Sequence, residues 1–183
     1  MELIKNLKEV SLVKNLFLAI LGTILLAISA KIKIPFWPVP MTMQTFVVLL
    51  LGVLYGWKLG LLTISLYLFE GIAGLPVFAG TPEKGLGLVY FTGPTMGYLL
   101  GFLVAVSLAG LFKFDKNFLM NFIKLVFSVS FIYFFGLIWL GSLIGWDKPI
   151  FELGAKPFLL AELLKILIAT LAINQIKKFR KFI

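Results

Sequence analysis

Neither cysteine nor histidine occurs in the chain. Their absence excludes disulfide frameworks, thiolate metal sites, cysteine nucleophiles and histidine acid/base or haem chemistry. Acidic residues are scarce too, 8 against 17 basic ones, for a net charge of +9. In a soluble protein that excess would raise nucleic acid as a partner. Here most basic residues sit between or beyond uncharged apolar runs, the arrangement that encodes membrane topology, so a lipid bilayer and not nucleic acid is the expected surrounding. What is abundant is apolar: 61% of 183 residues, with a mean hydropathy of +1.06. That is more apolar surface than a soluble domain of this length covers.

A membrane helix needs about 20 apolar residues. The uncharged runs Met41 to Trp57, Leu86 to Phe112 and Leu125 to Trp146 are of that order. The chain therefore reads as one all-α membrane domain over residues 1–183, with six spans near 16–31, 41–57, 59–72, 94–112, 125–144 and 157–176. The first fourteen residues carry Leu3, Ile4, Leu7 and Val10 at helical spacing among charged residues, the pattern of a helix lying on the membrane surface. Ala27, Ser29 and Ala30 offer a small-residue cleavage site, but the leading region is long and holds two glutamates, so Leu16 onward reads as a retained span. Six spans put both termini on one side, which then carries eleven basic residues against five on the other, with Lys165 inside the sixth span. By the positive-inside rule the termini are cytoplasmic.

Three prolines within Pro35-Phe36-Trp37-Pro38-Val39-Pro40 make a stiff, irregular connector, a shaped lid. Between Tyr67 and Phe102 the apolar sequence is broken by Gly71, Gly74, Pro76, Gly80, Pro82, Gly85, Gly87, Gly93 and Pro94. Broken backbone near membrane depth survives where protein buries it or where it lines a cavity, which makes this stretch a candidate part of a site. Glu162 and Lys165, three apart in the sixth span, are candidates either for a ligand site or for a mutually neutralising pair. Glu70, near the end of the third span, is expected to be interfacial or to cap a loop, with a ligand role as the alternative. On span one Ala19, Thr23 and Ala27 recur every four residues, a face that either docks a partner helix or packs on the chain's own helices.

Three motifs carry a resemblance: Pro35 to Thr45 (PFWPVPMTMQT), Gly74 to Gly80 (GLPVFAG) and Gly93 to Phe102 (GPTMGYLLGF). In this order they resemble the BioY proteins, the biotin-specific substrate-binding (S) components of energy-coupling factor (ECF) transporters. The resemblance implies a six-helix S component in a prokaryotic plasma membrane that takes biotin from outside and works with a transmembrane coupling protein and two cytoplasmic ATPases. It implies no cofactor and no metal. The sixth span departs from the family pattern of Pro-Gly-Asp ahead of a lysine: Leu160, Ala161 and Glu162 stand there, with Lys165 retained. Lys84 is the base nearest to an arginine the family often has before the second glycine-proline motif.

Biotin presents a ureido group, an apolar bicycle and a valerate carboxylate. Glu162 suits the ureido N–H, Gln44 or Tyr98 its carbonyl, and Lys84 or Lys165 the carboxylate, while Trp37, Phe78 and Tyr90 are candidate walls. The chain lacks G-x-x-x-x-G-K-[ST], so any ATP is hydrolysed by a partner. Glu70, Glu83 and Glu162 would be the carboxylates of a contrasting intramembrane enzyme, but no pair of them has a diagnostic spacing.

Overall fold

The computed structural model describes residues 2–34 and 37–180, with side chains from residue 12 onward except that of Ile34. The charged and apolar faces read in residues 1–11, the Pro35-Phe36 part of the lid and Lys181 lie outside the described residues.

Helix α1 (Glu2–Lys31) is continuous, so the segment read as a separate surface helix and span one form a single element. Two short strands follow, β1 (Lys33–Ile34) and β2 (Met41–Thr42), paired antiparallel with Lys33 opposite Thr42. The two strands on either side of the proline-rich connector are thus paired, which the all-helical reading did not include. Helix α2 (Gln44–Ile72) is broken at Gly56, where φ 74° and ψ 175° are not helical. The positive φ is one that only glycine adopts freely, and it turns the chain back on itself. Gln44 Nε2 donates to the Tyr67 hydroxyl at 2.8 Å across the two arms. The break falls where the sequence separates its second and third spans.

The glycine-rich stretch contains one short helix, α3 (Leu88–Phe91), before α4 (Met96–Leu111). Helix α5 (Phe118–Ile144) starts earlier than expected. Asn117 caps it, its side chain accepting from Met120 N at 3.0 Å, so the second part of the connector read from Phe114 through Lys124 is helical. After α6 (Ile150–Gly154) and a 3₁₀ turn at Lys156–Phe158, α7 (Leu159–Phe179) completes the fold.

Among the described residues four helical stretches are long and apolar enough to cross a bilayer: Leu12–Lys31, Gln44–Ile72, Phe118–Ile144 and Ile150–Phe179. Met96–Leu111 is a shorter apolar helix packed between α2 and α5. Lipid is as apolar as leucine, so these helices associate through close packing. A Cβ on Gly52 would lie 2.7 Å from Ala109 Cβ, and one on Gly101 2.5 Å from Ile132 Cα, so α4 is held against both neighbours through glycines.

The irregular 73–95 segment is tied down carbonyl by carbonyl. Tyr67 donates to Val77 O at 2.9 Å and Tyr90 to Ala79 O at 2.8 Å. Lys31 Nζ donates to Phe78 O, Thr81 O and Thr81 Oγ1, each at 3.1 Å. Phe78 stacks on Tyr90 with ring centres 4.7 Å apart. Non-helical backbone here keeps its polar groups satisfied by protein, as its surroundings demand.

Candidate functional site

A cavity opens where β2, the start of α2, the 73–95 segment, α4, α5 and α7 converge. Its empty space, counted out through the open mouth, is about 550 Å³. Leu99, Phe102, Ile132 and Phe158 supply apolar wall, and Tyr90, Thr95, Tyr98 and Tyr133 add rings and hydroxyls.

Polar chemistry concentrates on α7. Lys165, buried, donates to Thr42 O at 2.7 Å, to Thr45 Oγ1 at 3.1 Å and to Glu162 Oε2 at 3.3 Å. An ammonium group has three protons, so all of them are engaged. Glu162 Oε2 also accepts from the Tyr133 hydroxyl at 3.0 Å. The other oxygen, Oε1, is buried with no hydrogen-bond partner. Such an orphan acceptor costs about 1–3 kcal/mol. The carboxylate is therefore clamped by one oxygen, while the other is a buried, unspent acceptor on a residue that lines the cavity.

The remaining candidates divide. Gln44, Tyr90 and Tyr98 line the cavity together with Glu162 and Lys165. Gln44 is already bonded at both ends of its amide, donating to Tyr67 and accepting from Thr42 Oγ1 at 3.2 Å. Tyr98 spends its proton on Gly154 O at 2.8 Å, so it presents a ring face and an acceptor and cannot also donate to a carbonyl. Phe78 does not line the cavity: it sits one layer behind Tyr90, 1% exposed, wedged edge-on to Tyr67. Trp37 and Lys84 are outside it too. They border an adjoining hollow with Pro38, Pro94 and Leu143, which shares Tyr90 and Thr95 with the cavity. The Lys84 stem lies across Gly80, whose φ of 81° is another left-handed turn position and where any Cβ would meet Lys84 Cδ at 2.9 Å. Burial and the neighbouring Lys33 charge lower the Lys84 ammonium pKa from its usual value.

Of the two uses read for span one's small-residue face, the structure shows packing on the chain's own helices. Ala19 and Thr23 are 0% and 2% exposed, and Ala27 packs against the core. Thr23 Oγ1 donates to Glu70 Oε1 at 2.9 Å, which accounts for that glutamate. The close approach of α1 to α2 is what small residues permit. Among the described residues no three carboxylates lie near enough to hold a metal ion, and Glu70, Glu83 and Glu162 are not brought together.

Sequence reasoning missed Tyr133 and Thr45. A phenol inside an apolar run has to find a partner for its hydroxyl, which was the available signal for Tyr133. Thr45 closes the Pro35 to Thr45 motif, and that was its only signal.

The BioY family model matches residues 4–182. The chain is 36% identical over 170 residues to the probable biotin transporter BioY of Pyrococcus horikoshii, covering 93% of this chain and 96% of that one. It is 34% identical over 166 residues to the biotin transporter BioY of Thermotoga maritima, covering 90% and 96%. A crystal structure of the S-component for biotin from an ECF-type ABC transporter superposes with a TM-score of 0.77 at 27% identity, over 92% of this chain and 93% of that one. The helical arrangement, the break at Gly56 and the clamped carboxylate on α7 therefore belong to a chain that is a member of the BioY family.

Proposed function

We propose that this chain is the biotin-binding S component of an ECF uptake system: one membrane domain that captures biotin from outside and passes it inward together with a coupling protein and two ATPases. The observation that carries the reading is the buried, unpartnered Oε1 of Glu162 in an aromatic and aliphatic cavity. A ureido N–H is a donor of the right kind for it. The bicycle lies against Tyr90, Phe102 and Tyr98, and the valerate runs towards Lys84 in the adjoining hollow. Lys165 acts differently: its three protons hold Thr42, Thr45 and Glu162 in place, so it orients the carboxylate and is not the valerate partner. Trp37 borders the Lys84 end as a cover, and Gln44 acts by fixing the cavity rim. Family membership supports biotin as ligand, since the relatives are named biotin transporters, and supports a transporter component over an enzyme. The reading involves no cofactor or metal.

Six crossings with cytoplasmic termini form part of this proposal. The two antiparallel arms of α2 count as two spans. Asn15 and Arg180, from opposite ends of the chain, border one hollow, which favours both termini on one side. The basic residues concentrate on that same side, as cytoplasmic ends do. The membrane is then a prokaryotic plasma membrane, with the lid and the 73–95 segment outward.

Isothermal titration of the purified full chain with biotin tests the core of this. The expected result is saturable binding near one to one, with the ligand recovered unchanged. A folded protein giving no heat, and no competition by biotin against a labelled analogue, overturns it. Co-purification with a coupling protein and ATPases separates an S component from a carrier working alone.

A further inference from the structure

At the end of the bundle where Gly56 turns the chain, away from the ligand cavity, a second hollow opens between α1, the two arms of α2 and the last turn of α7. Its empty space, counted to its open side, is about 690 Å³. Its lining is apolar at Leu54, Leu59 and Leu62 and polar and cationic at Asn15, Lys58 and Arg180. The Arg180 guanidinium is seated against Gly56, where a Cβ would fall 2.7 Å from its Nη2. Lys58 Nζ stands 5.6 Å from the centre of the Trp57 ring. Tyr55 closes the α1 side by donating to Leu18 O at 2.9 Å. Among the described residues no Asp or Glu borders the hollow. Leu62 and Trp57 beside it are 47% and 42% exposed, so its apolar side continues onto the lipid-facing surface.

We propose that this hollow binds the phosphate headgroup of an anionic phospholipid. Arg180 and Lys58 take the phosphate oxygens, Asn15 the neighbouring polar atoms, and the leucines lie along the upper acyl chain. A guanidinium matches phosphate geometry with paired N–H donors. Basic pockets between membrane helices, with carbon below and cations above, have the two-part character of an anionic lipid. A soluble anion would engage the polar and cationic lining but leave the leucines unused. The surrounding Lys113, Lys116, Lys124, Lys177 and Lys178 enrich anionic lipid near this end without lining the hollow.

Native mass spectrometry of the full chain, stripped of lipid in neutral detergent, tests the assignment. Dioleoyl phosphatidylglycerol is titrated in, and separately phosphatidylcholine with the same chains. One phosphatidylglycerol should be retained at concentrations where phosphatidylcholine is not, and a hundredfold excess of glycerol phosphate should not displace it. Arg180→Gln with Lys58→Gln should weaken retention at least tenfold. Lys116→Gln with Lys178→Gln removes the same charge and should change it less than twofold. Asn15→Glu, which leaves both cations in place, should also weaken it about tenfold, and melting curves identify any variant that fails to fold. Equal losses from the two lysine-bearing pairs, equal retention of the two lipids, or displacement by glycerol phosphate would each overturn the proposal.

Discussion

The Tyr133 hydroxyl donates to Oε2 of Glu162 at 3.0 Å, from a helix 29 residues earlier in the chain, and leaves Oε1 of the same carboxylate unpartnered. Glu162→Gln keeps one oxygen for Tyr133 and Lys165 but turns the unpartnered acceptor into an N–H₂ donor. Biotin binding should weaken by about 1.5–3 kcal/mol, the scale of a hydrogen bond to a charged group, with the melting temperature little changed. Titration calorimetry reads the first and thermal unfolding the second; affinity within twofold of the parent removes Glu162 from the site.

Lys165 and Glu162 separate stability from binding when altered singly and together. Lys165→Met alone leaves a buried carboxylate without its counter-ion and should destabilise by about 3–5 kcal/mol. Replacing both with Leu should restore much of that stability, because an apolar pair often substitutes well for a buried ion pair, while binding is lost. A double variant that keeps near-parental biotin affinity would show the pair to be purely structural.

Lys84 predicts a pH dependence with a definite sign. Its pKa is lowered by burial and by Lys33, and only the protonated form attracts a carboxylate. Biotin affinity should therefore fall as pH rises through that lowered pKa, whereas biotin methyl ester should bind with a flat profile. Lys84→Met should flatten the biotin profile as well. Parallel curves for acid and ester in the parent protein would place the valerate elsewhere.

Lys31 pins Phe78 and Thr81, which bracket Gly80 and cavity-lining Ala79, from the end of α1. Lys31→Met should raise amide exchange through residues 77–82 and speed biotin release several-fold, with the helices protected as before. Unchanged exchange across that segment would show the three contacts to be dispensable.

Ala19 is fully buried against the chain's own helices. Ala19→Trp should lower the melting temperature and biotin binding together, because overpacking a tight helix contact costs about 1–3 kcal/mol or more. A variant that melts normally and binds biotin, yet fails to assemble with its partners, would restore the docking role to this face.

Much was legible from local pattern alone. Apolar run length and the paucity of acidic residues specify the membrane class, because hydrocarbon admits few charges and a fixed helix length. The Gly56 turn, the proline-rich connector and the irregular 73–95 backbone follow from residues whose dihedral limits are intrinsic. The Glu162 and Lys165 pair was visible because a helix brings residues three apart together. Tertiary structure decided the rest. Lys165 donates to partners more than a hundred residues away, Thr42 and Thr45. Tyr98, Gln44 and Phe78 proved to be committed to Gly154, Tyr67 and Tyr90. The small-residue face of α1 chose an internal partner, and Tyr133 reached Glu162 across helices. A sequence states which donors and acceptors a chain owns. Which of them remain unspent in a cavity depends on what the folded chain brings opposite each one, and that pairing is set by packing between segments far apart in the chain.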